Sequence, residues 1–470
     1  NRTATDHALY LQRNRVQSHD QVSGRPGFTG RHPTDRARHV GYVAAGVSEN
    51  LAQGMDTVTG AVEDLMTAIY HRFGFLAVGI DELGVGWAPG KASETPWVFN
   101  MSDAGLNAWC AKPPAEAVFT PPGTYTQLCG EGSARLKLAA VEAQQRRLPM
   151  ANPPWVLWPP PDYTSVPPAF FEETPDPLPD RSVSGYPVSI QFNRYKVRAV
   201  ALREFRMVAV GANGAAQDVG PVRRLDQRTD PNHEFSTLDF AWFPLDRLAW
   251  NARYRVAADF DVDGKPQHFE WEFRTKDLGM PVIPVAGADP VIALRPNLDY
   301  ALYLAPTDQV PSLSGFRWEG PGNMKTQADG IDPNTLKVRV SGPACSLGLL
   351  TFSGGRRVRL QVAEADGAGC EVTRPDFSIT ANSERLSLQP GKAYRVQVKA
   401  SSRGKGVEKL GWQFPSTMKV AVELEPPDVA RITVTGRPCD AATFELSGGR
   451  KFTALVAGPG CPATTTGKER

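Results

Sequence analysis

The sequence predicts a multidomain fold: a mixed α/β domain at the N-terminus, followed by three immunoglobulin-like β-sandwich domains, the last two an internal repeat. Three observations predict it. Residues 1–87 carry the helical signal, strand-like alternation begins at Gly185, and two C-terminal segments match each other at a constant offset of 94 residues.

The length of 470 residues exceeds what one ordinary core organises. The content of Gly (43) and Pro (41) favours short strands and loops over long helices. Lys and Arg total 52 against 50 Asp and Glu, so no basic field points to nucleic acid or an anionic membrane. No apolar run approaches the roughly 20 residues that span a bilayer. Asn1 opens directly into a helical pattern with no signal peptide, as expected of a processed mature form.

Taken in order, Ala8, Leu11 and Val16 sit near helical spacing in the first segment. Over residues 57–70, Val58, Val62, Leu65, Met66 and Ile69 form an amphipathic stripe. "FLAVGIDELGVGW" (75–87) reads as a strand, a turn and a second strand. The first domain is set at 1–145. Prolines then crowd residues 112–183. Proline lacks a donor and fixes φ, which excludes central strands and helix interiors. Residues 146–183, with Trp155 and Trp158, are read as a linker strapped onto a surface.

The segment 184–280 alternates ("YPVSIQF", "RYRVAADFDV", "HFEWEFRT"), with Asp263-Gly264 as a hairpin turn. Asp259, Asp261 and Asp263 alternate with Phe260 and Val262, so they form the solvent face of a strand and not a calcium loop. Glu172-Glu173 is the other acidic pair with a calcium reading. The repeats occupy 285–375 and 379–465. Trp318 pairs with Trp412, Met324 with Met418, Cys345 with Cys439, Gly354 with Gly448 and Arg356 with Arg450. Ser-Gly-Gly-Arg in both copies is a tight hairpin, because no helix follows it to cradle a phosphate.

Six cysteines fall into three local pairs without a C-x-x-C. Disulfides Cys110–Cys129, Cys345–Cys370 and Cys439–Cys461 are expected, together with an oxidising, extracytoplasmic location. Six buried free thiols are the alternative.

Five of the seven histidines, His7, His19, His32, His39 and His71, lie in the first domain. His19 precedes Ser48-Glu49-Asn50, a helix ends in Tyr70-His71-Arg72, and Gly84-Val85-Gly86 follows. This order resembles the bacterial branch of the CAP superfamily (cysteine-rich secretory proteins, antigen 5, pathogenesis-related 1), over about residues 5–105. The resemblance implies an α-β-α sandwich with a cleft lined by His19, Glu49 and His71, which binds a divalent metal in some members. Ser48 stands where the family has glycine, and the family's second glutamate has no match; Glu63 and Asp64 lie on the helix ahead of His71. Two imidazoles and a carboxylate form a first shell for Zn²⁺ with one open position, or a proton-transfer set without metal. The bland readings are that Glu49 locks a loop and His71 sits at a helix end. His7, His32 and His39 are read as surface or structural.

Two function classes follow. One is an extracytoplasmic binding or scaffolding protein with a protein, a glycan or a second copy of itself as partner. The other is a metal-dependent hydrolase with β domains for targeting. No G-x-S-x-G, H-E-x-x-H or P-loop is present, and about three quarters of the chain carries no catalytic signature, which favours the first.

Overall fold

The computed structural model describes the chain except residues 91–94, 131, 288, 308–311, 314, 365–375, 381, 399–409, 426–428, 447–449 and 466–470. Among the described residues β-strands dominate and six α-helices occur. Two compact units divide the chain, Asn1–Asp277 and Leu278–Arg470.

The first unit opens with α1 (Arg2–Asn14), α2 (Pro33–His39), β1 (Ser48–Gln53), α3 (Val58–Thr67), α4 (Ile69–Phe75), β2 (Glu82–Trp87), β3 (Pro96–Ser102) and α5 (Ala104–Ala111). The strands form an antiparallel sheet in the order β1-β3-β2. Period-two alternation sorts its faces. Leu51 and Val98 meet Ala4, Ala8 and Leu11 of α1 on one face. Ala52, Trp97 and Phe99 meet Ala61 and Leu65 of α3 on the other. Gly86 is fixed by contact: a Cβ there would overlap the backbone of Ala4 and Thr5 where α1 crosses β2.

The single helix expected over 57–70 is broken. α3 ends at Thr67, Ala68 is extended (φ −70°, ψ 116°), and α4 begins at Ile69. Tertiary partners replace the lost helical bonds. Arg72 Nε donates to the Met66 carbonyl at 2.6 Å, the Tyr186 hydroxyl donates to the same carbonyl at 2.9 Å, and Glu173 accepts from the Ile69 amide at 2.5 Å. Capping by side chains distant in sequence overrides an unbroken apolar stripe.

After α5 come β4 (Tyr125–Thr126), β5 (Leu136–Lys137) and α6 (Leu138–Ala151). The Cys110–Cys129 disulfide ties α5 to this segment. β6 (Trp155–Trp158) departs from the linker reading: it pairs antiparallel with Val188–Phe192 and forms the edge of a sandwich sheet. Proline excluded a central strand here, but an edge strand needs donors on one side only. That sheet runs Val222–Leu225, Asp239–Pro244, Val188–Phe192, β6; the facing sheet runs Ala216–Asp218, Val200–Val210, Arg253–Val262, Lys265–Arg274. Between them Trp242, Phe240, Phe260 and Phe269 are buried, and Phe205 stacks on Trp242 at 4.3 Å. The hairpin at Asp263-Gly264 has both residues at positive φ (50° and 78°), as a two-residue turn demands. Of its acidic face, Asp259 pairs with His268 and Asp261 with Arg203. The Asp263 carboxylate accepts from the Arg198 and Ala199 amides.

The second unit contains two sandwiches of one topology. The first has sheets ordered Val282–Pro284, Asp299–Tyr303, Thr335–Ser341, Lys325–Asp332 and Val291–Leu294, Arg357–Val362, Leu347–Phe352, Phe316–Glu319. The second repeats this order with Phe377–Ile379, Ala393–Val398, Val429–Thr435, Lys419–Glu425 and Glu384–Leu388, Lys451–Val456, Ala441–Leu446, Leu410–Gln413. Trp318 lies opposite Leu350, and Trp412 opposite Phe444, the same register 94 residues on. Cys345 and Cys439 both adopt positive φ (66° and 67°). Cys439 is bridged to Cys461. Cys345 is disulfide-bonded, and Cys370 lies outside the described residues. In the first copy Gly354 and Gly355 turn the hairpin at φ 84° and 83°; Gly448 of the second lies outside the described residues.

Candidate functional site

Glu49 leaves β1 near its start, on the α1 face of the sheet, and its side chain is almost wholly buried (1% exposed). A carboxylate so placed needs compensation. Arg36 of α2, fully buried, donates to Glu49 Oε2 at 2.7 Å, and its other nitrogen donates to the carbonyls of His19 and Arg31, each at 2.8 Å. His19 Nδ1 lies 3.1 Å from Glu49 Oε1, with half of the imidazole open to solvent. His7 completes the group. Its Nε2 is 3.5 Å from Glu49 Oε1 and 3.1 Å from the Ser18 carbonyl, and its Nδ1 is 3.0 Å from Gln21 Nε2. The Ser18 carbonyl can only accept and the Gln21 amide nitrogen can only donate, so the proton sits on Nε2 and the ring is neutral. Burial pushes the His7 imidazole down to about 4, with Glu49 pulling the other way.

His71 is engaged elsewhere. Its Nδ1 lies 3.0 Å from Glu173 Oε2, and Glu173 also accepts from the amides of Ile69 and Tyr70 at the start of α4. Burial raises the Glu173 carboxyl above the usual carboxylate range, and His71 opposes that rise. Asp64, on α3, is raised by burial as well, with the charges of His71 and Glu173 acting on it in opposite senses. Beside this cluster the Tyr70 hydroxyl bonds Asp230 and accepts from Asn232 Nδ2 at 2.9 Å. Arg72, which follows His71, is fully buried and crosses into the sandwich, donating to the Pro187 carbonyl at 2.8 Å and Ser189 Oγ at 3.1 Å. Its guanidinium lies 4.9 Å from the Tyr186 ring centroid.

Of the three expected cleft residues, His19 and Glu49 therefore meet, and His71 is held by Glu173 on the other side of the sheet. Asn50 shows the division: its neighbour Glu49 faces α1, while Asn50 Nδ2 donates to the His71 carbonyl at 2.8 Å. The donor set does not fit zinc. Glu49 is committed to Arg36, and among the described residues no three His, Cys, Asp or Glu side chains stand together in a way that could hold a metal ion. Sequence reading missed Arg36, which looked like one cation in "HPTDRARH", and Glu173, which lay beyond the stretch carrying the family resemblance. Glu172-Glu173 had a calcium reading; Glu173 instead caps α4. His32, read as surface or structural, is exposed at the start of α2 and sits 3.0 Å from Asp20.

No family model matches the chain, and no curated protein matches it. Among solved structures, the chain is similar to the endo-fucoidan hydrolase MfFcnA4 from glycoside hydrolase family 107 at 12% identity and a TM-score of 0.19, over 72% of this chain and 49% of that one. It is also similar to mouse clustered PcdhgC3 EC1-3 at 15% identity and a TM-score of 0.12, over 54% of this chain and 89% of that one. The chain spans about half the length of the fucoidan hydrolase it matches. Likenesses at these scores carry no functional argument.

Proposed function

We propose that this chain is an extracytoplasmic binding and assembly protein, with a CAP-like N-terminal domain whose acid–histidine site serves structure and recognition. The observation that carries the reading is the commitment of Glu49. One oxygen accepts from the buried Arg36 guanidinium and the other faces His19, so the carboxylate is neutralised by a fixed cation, which disfavours it as a metal ligand or a general base. The separation of His71 from this site supports the same reading. So do the disulfides Cys110–Cys129 and Cys439–Cys461. A partner surface is available on the second repeat, where the edge strand Leu410–Gln413 leaves Trp412 (40% exposed) and Phe414 (43% exposed) open to solvent.

The test pairs metal analysis of chelator-free protein with sedimentation and glycan-array binding of the full chain. The expected result is substoichiometric zinc, together with self-association or glycan binding weakened in Trp412→Ala. Stoichiometric zinc lost on His71→Ala would overturn the reading in favour of a metal-dependent hydrolase.

A further inference from the structure

We propose that the N-terminal domain binds a neutral ligand through an amide edge, in a pocket floored by Asn100. A cavity of about 450 Å³ opens on the α1 face of the sheet, lined in part by Ala37, Val40, Val47, Tyr42 and Leu83. Its volume falls within the range of small-molecule sites. Asn100 stands on the central strand β3, between Glu49 on β1 and Gly84 on β2. Only 9% of the residue is exposed, and both side-chain polar atoms, Nδ2 and Oδ1, are buried without a hydrogen-bond partner. Leaving one such group unpaired in a folded core is costly; leaving a donor and an acceptor of the same side chain unpaired marks a place where something else supplies the partners.

The neighbours cannot supply them. Glu49 is pinned by Arg36, and Gly84 has no side chain. Other polar groups of the wall are engaged as well: Asn1 Oδ1 accepts from the Val85 amide at 2.9 Å, and Arg2 lies 3.9 Å from Asp6. The Tyr42 hydroxyl donates to Glu82, Asn107 Nδ2 donates to that hydroxyl at 3.0 Å and to Ser102 Oγ at 2.8 Å, and Ser102 Oγ donates to the Gly46 carbonyl at 2.6 Å. Burial and the Glu82 carboxylate push the Tyr42 phenol up to about 12, so it stays a neutral donor.

The chemistry of the missing partner follows from Asn100 itself. A carboxamide offers one donor and one acceptor side by side and no charge. Its complement is an acceptor C=O beside a donor N–H. An extended peptide residue presents that pair from its own main chain, and a primary amide presents it from one group. The carboxylates nearby are already bonded, Glu49 to Arg36 and Glu82 to the Tyr42 hydroxyl, and the Arg2 guanidinium at the rim faces Asp6. The apolar wall of Ala37, Val40 and Val47 accommodates a small aliphatic group next to the amide. This proposal stands on Asn100 and its surroundings, and holds whether or not the domain is CAP-like.

The experiment titrates the full chain with three probes followed by saturation-transfer NMR: N-acetylalanine methylamide (a peptide edge), acetamide (a primary amide) and methyl acetate (no donor). The expected result is binding of an amide probe and none of the ester. Affinity falls at least tenfold in Asn100→Leu, which removes both polar atoms, and in Val40→Trp, which fills the cavity while leaving Asn100 in place. Asn100→Leu is expected to melt no lower than wild type, because replacing an unpaired buried amide by an apolar side chain of similar size is neutral or stabilising. Binding of the methylamide alone assigns the site to peptide main chain; binding of acetamide as well extends it to small primary amides. Equal binding of the ester, unchanged affinity in Asn100→Leu, or no binding of any probe to wild type would overturn the proposal and leave a pocket that holds only water.

Discussion

At the scale of single residues, the N-terminal domain depends on a histidine that stays uncharged. His7 titrates near 6.5 in an unfolded chain and at about 4 when folded. Between those values the unfolded state binds more protons, so stability rises with pH across the window and is lost as pH falls through it. The shift corresponds to about 3 kcal/mol in total. Glu173 and Asp64, both raised by burial, act in the opposite sense, so the His7 share is read as a difference. His7→Gln, which keeps a donor for Ser18 and an acceptor for Gln21, is expected to flatten the slope of unfolding free energy between pH 6.5 and 4. Urea denaturation at several pH values measures it, and a variant slope equal to that of wild type would refute the assignment. The concentration of histidines was legible in the sequence. Which of them would be buried was not, because that depends on where the Ser18 carbonyl and Gln21 amide arrive.

At the scale of elements, the two repeats differ at one instructive position. Gly348 lies under the Trp318 indole, and a Cβ there would overlap the ring. The equivalent residue in the second repeat is Ala442, and there Trp412 is 40% exposed. Gly348→Ala is therefore expected to push Trp318 outward and cost about 1–3 kcal/mol. A red-shifted tryptophan emission and a lowered melting midpoint would report this; an unchanged spectrum would count against it. The constant offset, the hairpin turns and the alternation were all readable because each is local in sequence. The break between α3 and α4 was not, because the stripe of Val58, Val62, Leu65, Met66 and Ile69 is unbroken and the groups that end it, Glu173 and Tyr186, are more than 100 residues away. His19 and Glu49 were expected together only through a resemblance, whereas Arg36 and Glu173 could not be chosen among many charged residues.

At the scale of the whole molecule, the segments on either side of the boundary expected at residue 145 belong to one compact unit, Asn1–Asp277. Arg72 is wholly buried with two acceptors in the sandwich, Pro187 and Ser189, and α4 begins on Glu173. A chain ending at residue 150 would strip α4 of its Glu173 cap and expose Ile69, which packs against Phe170, Leu225 and Phe243. Such a chain is expected to lose cooperative thermal unfolding and near-ultraviolet dichroism, while one ending at Asp277 keeps both. Cooperative melting of the shorter chain would show that the domain stands alone. Proline enrichment suggested a linker because a missing donor looks the same in sequence whether the strand edge faces solvent or no strand exists.

Each repeat of the second unit also has a definite answer to mechanical load. In the last repeat the early strand Glu384–Leu388 pairs in parallel with the final strand Lys451–Val456, through five register partners from Glu384 and Phe452 to Leu388 and Val456. In the preceding repeat Val291–Leu294 pairs in parallel with Arg357–Val362 in the same way. Once tension has passed the short first strand, Phe377–Ile379 or Val282–Pro284, it pulls this second strand and the last one, which are parallel, in opposite directions along their length. The interstrand bonds then carry the force together in shear, where an antiparallel hairpin pulled from its open end would release them one after another. Stretched from its ends, such a repeat holds and then gives way in one abrupt step.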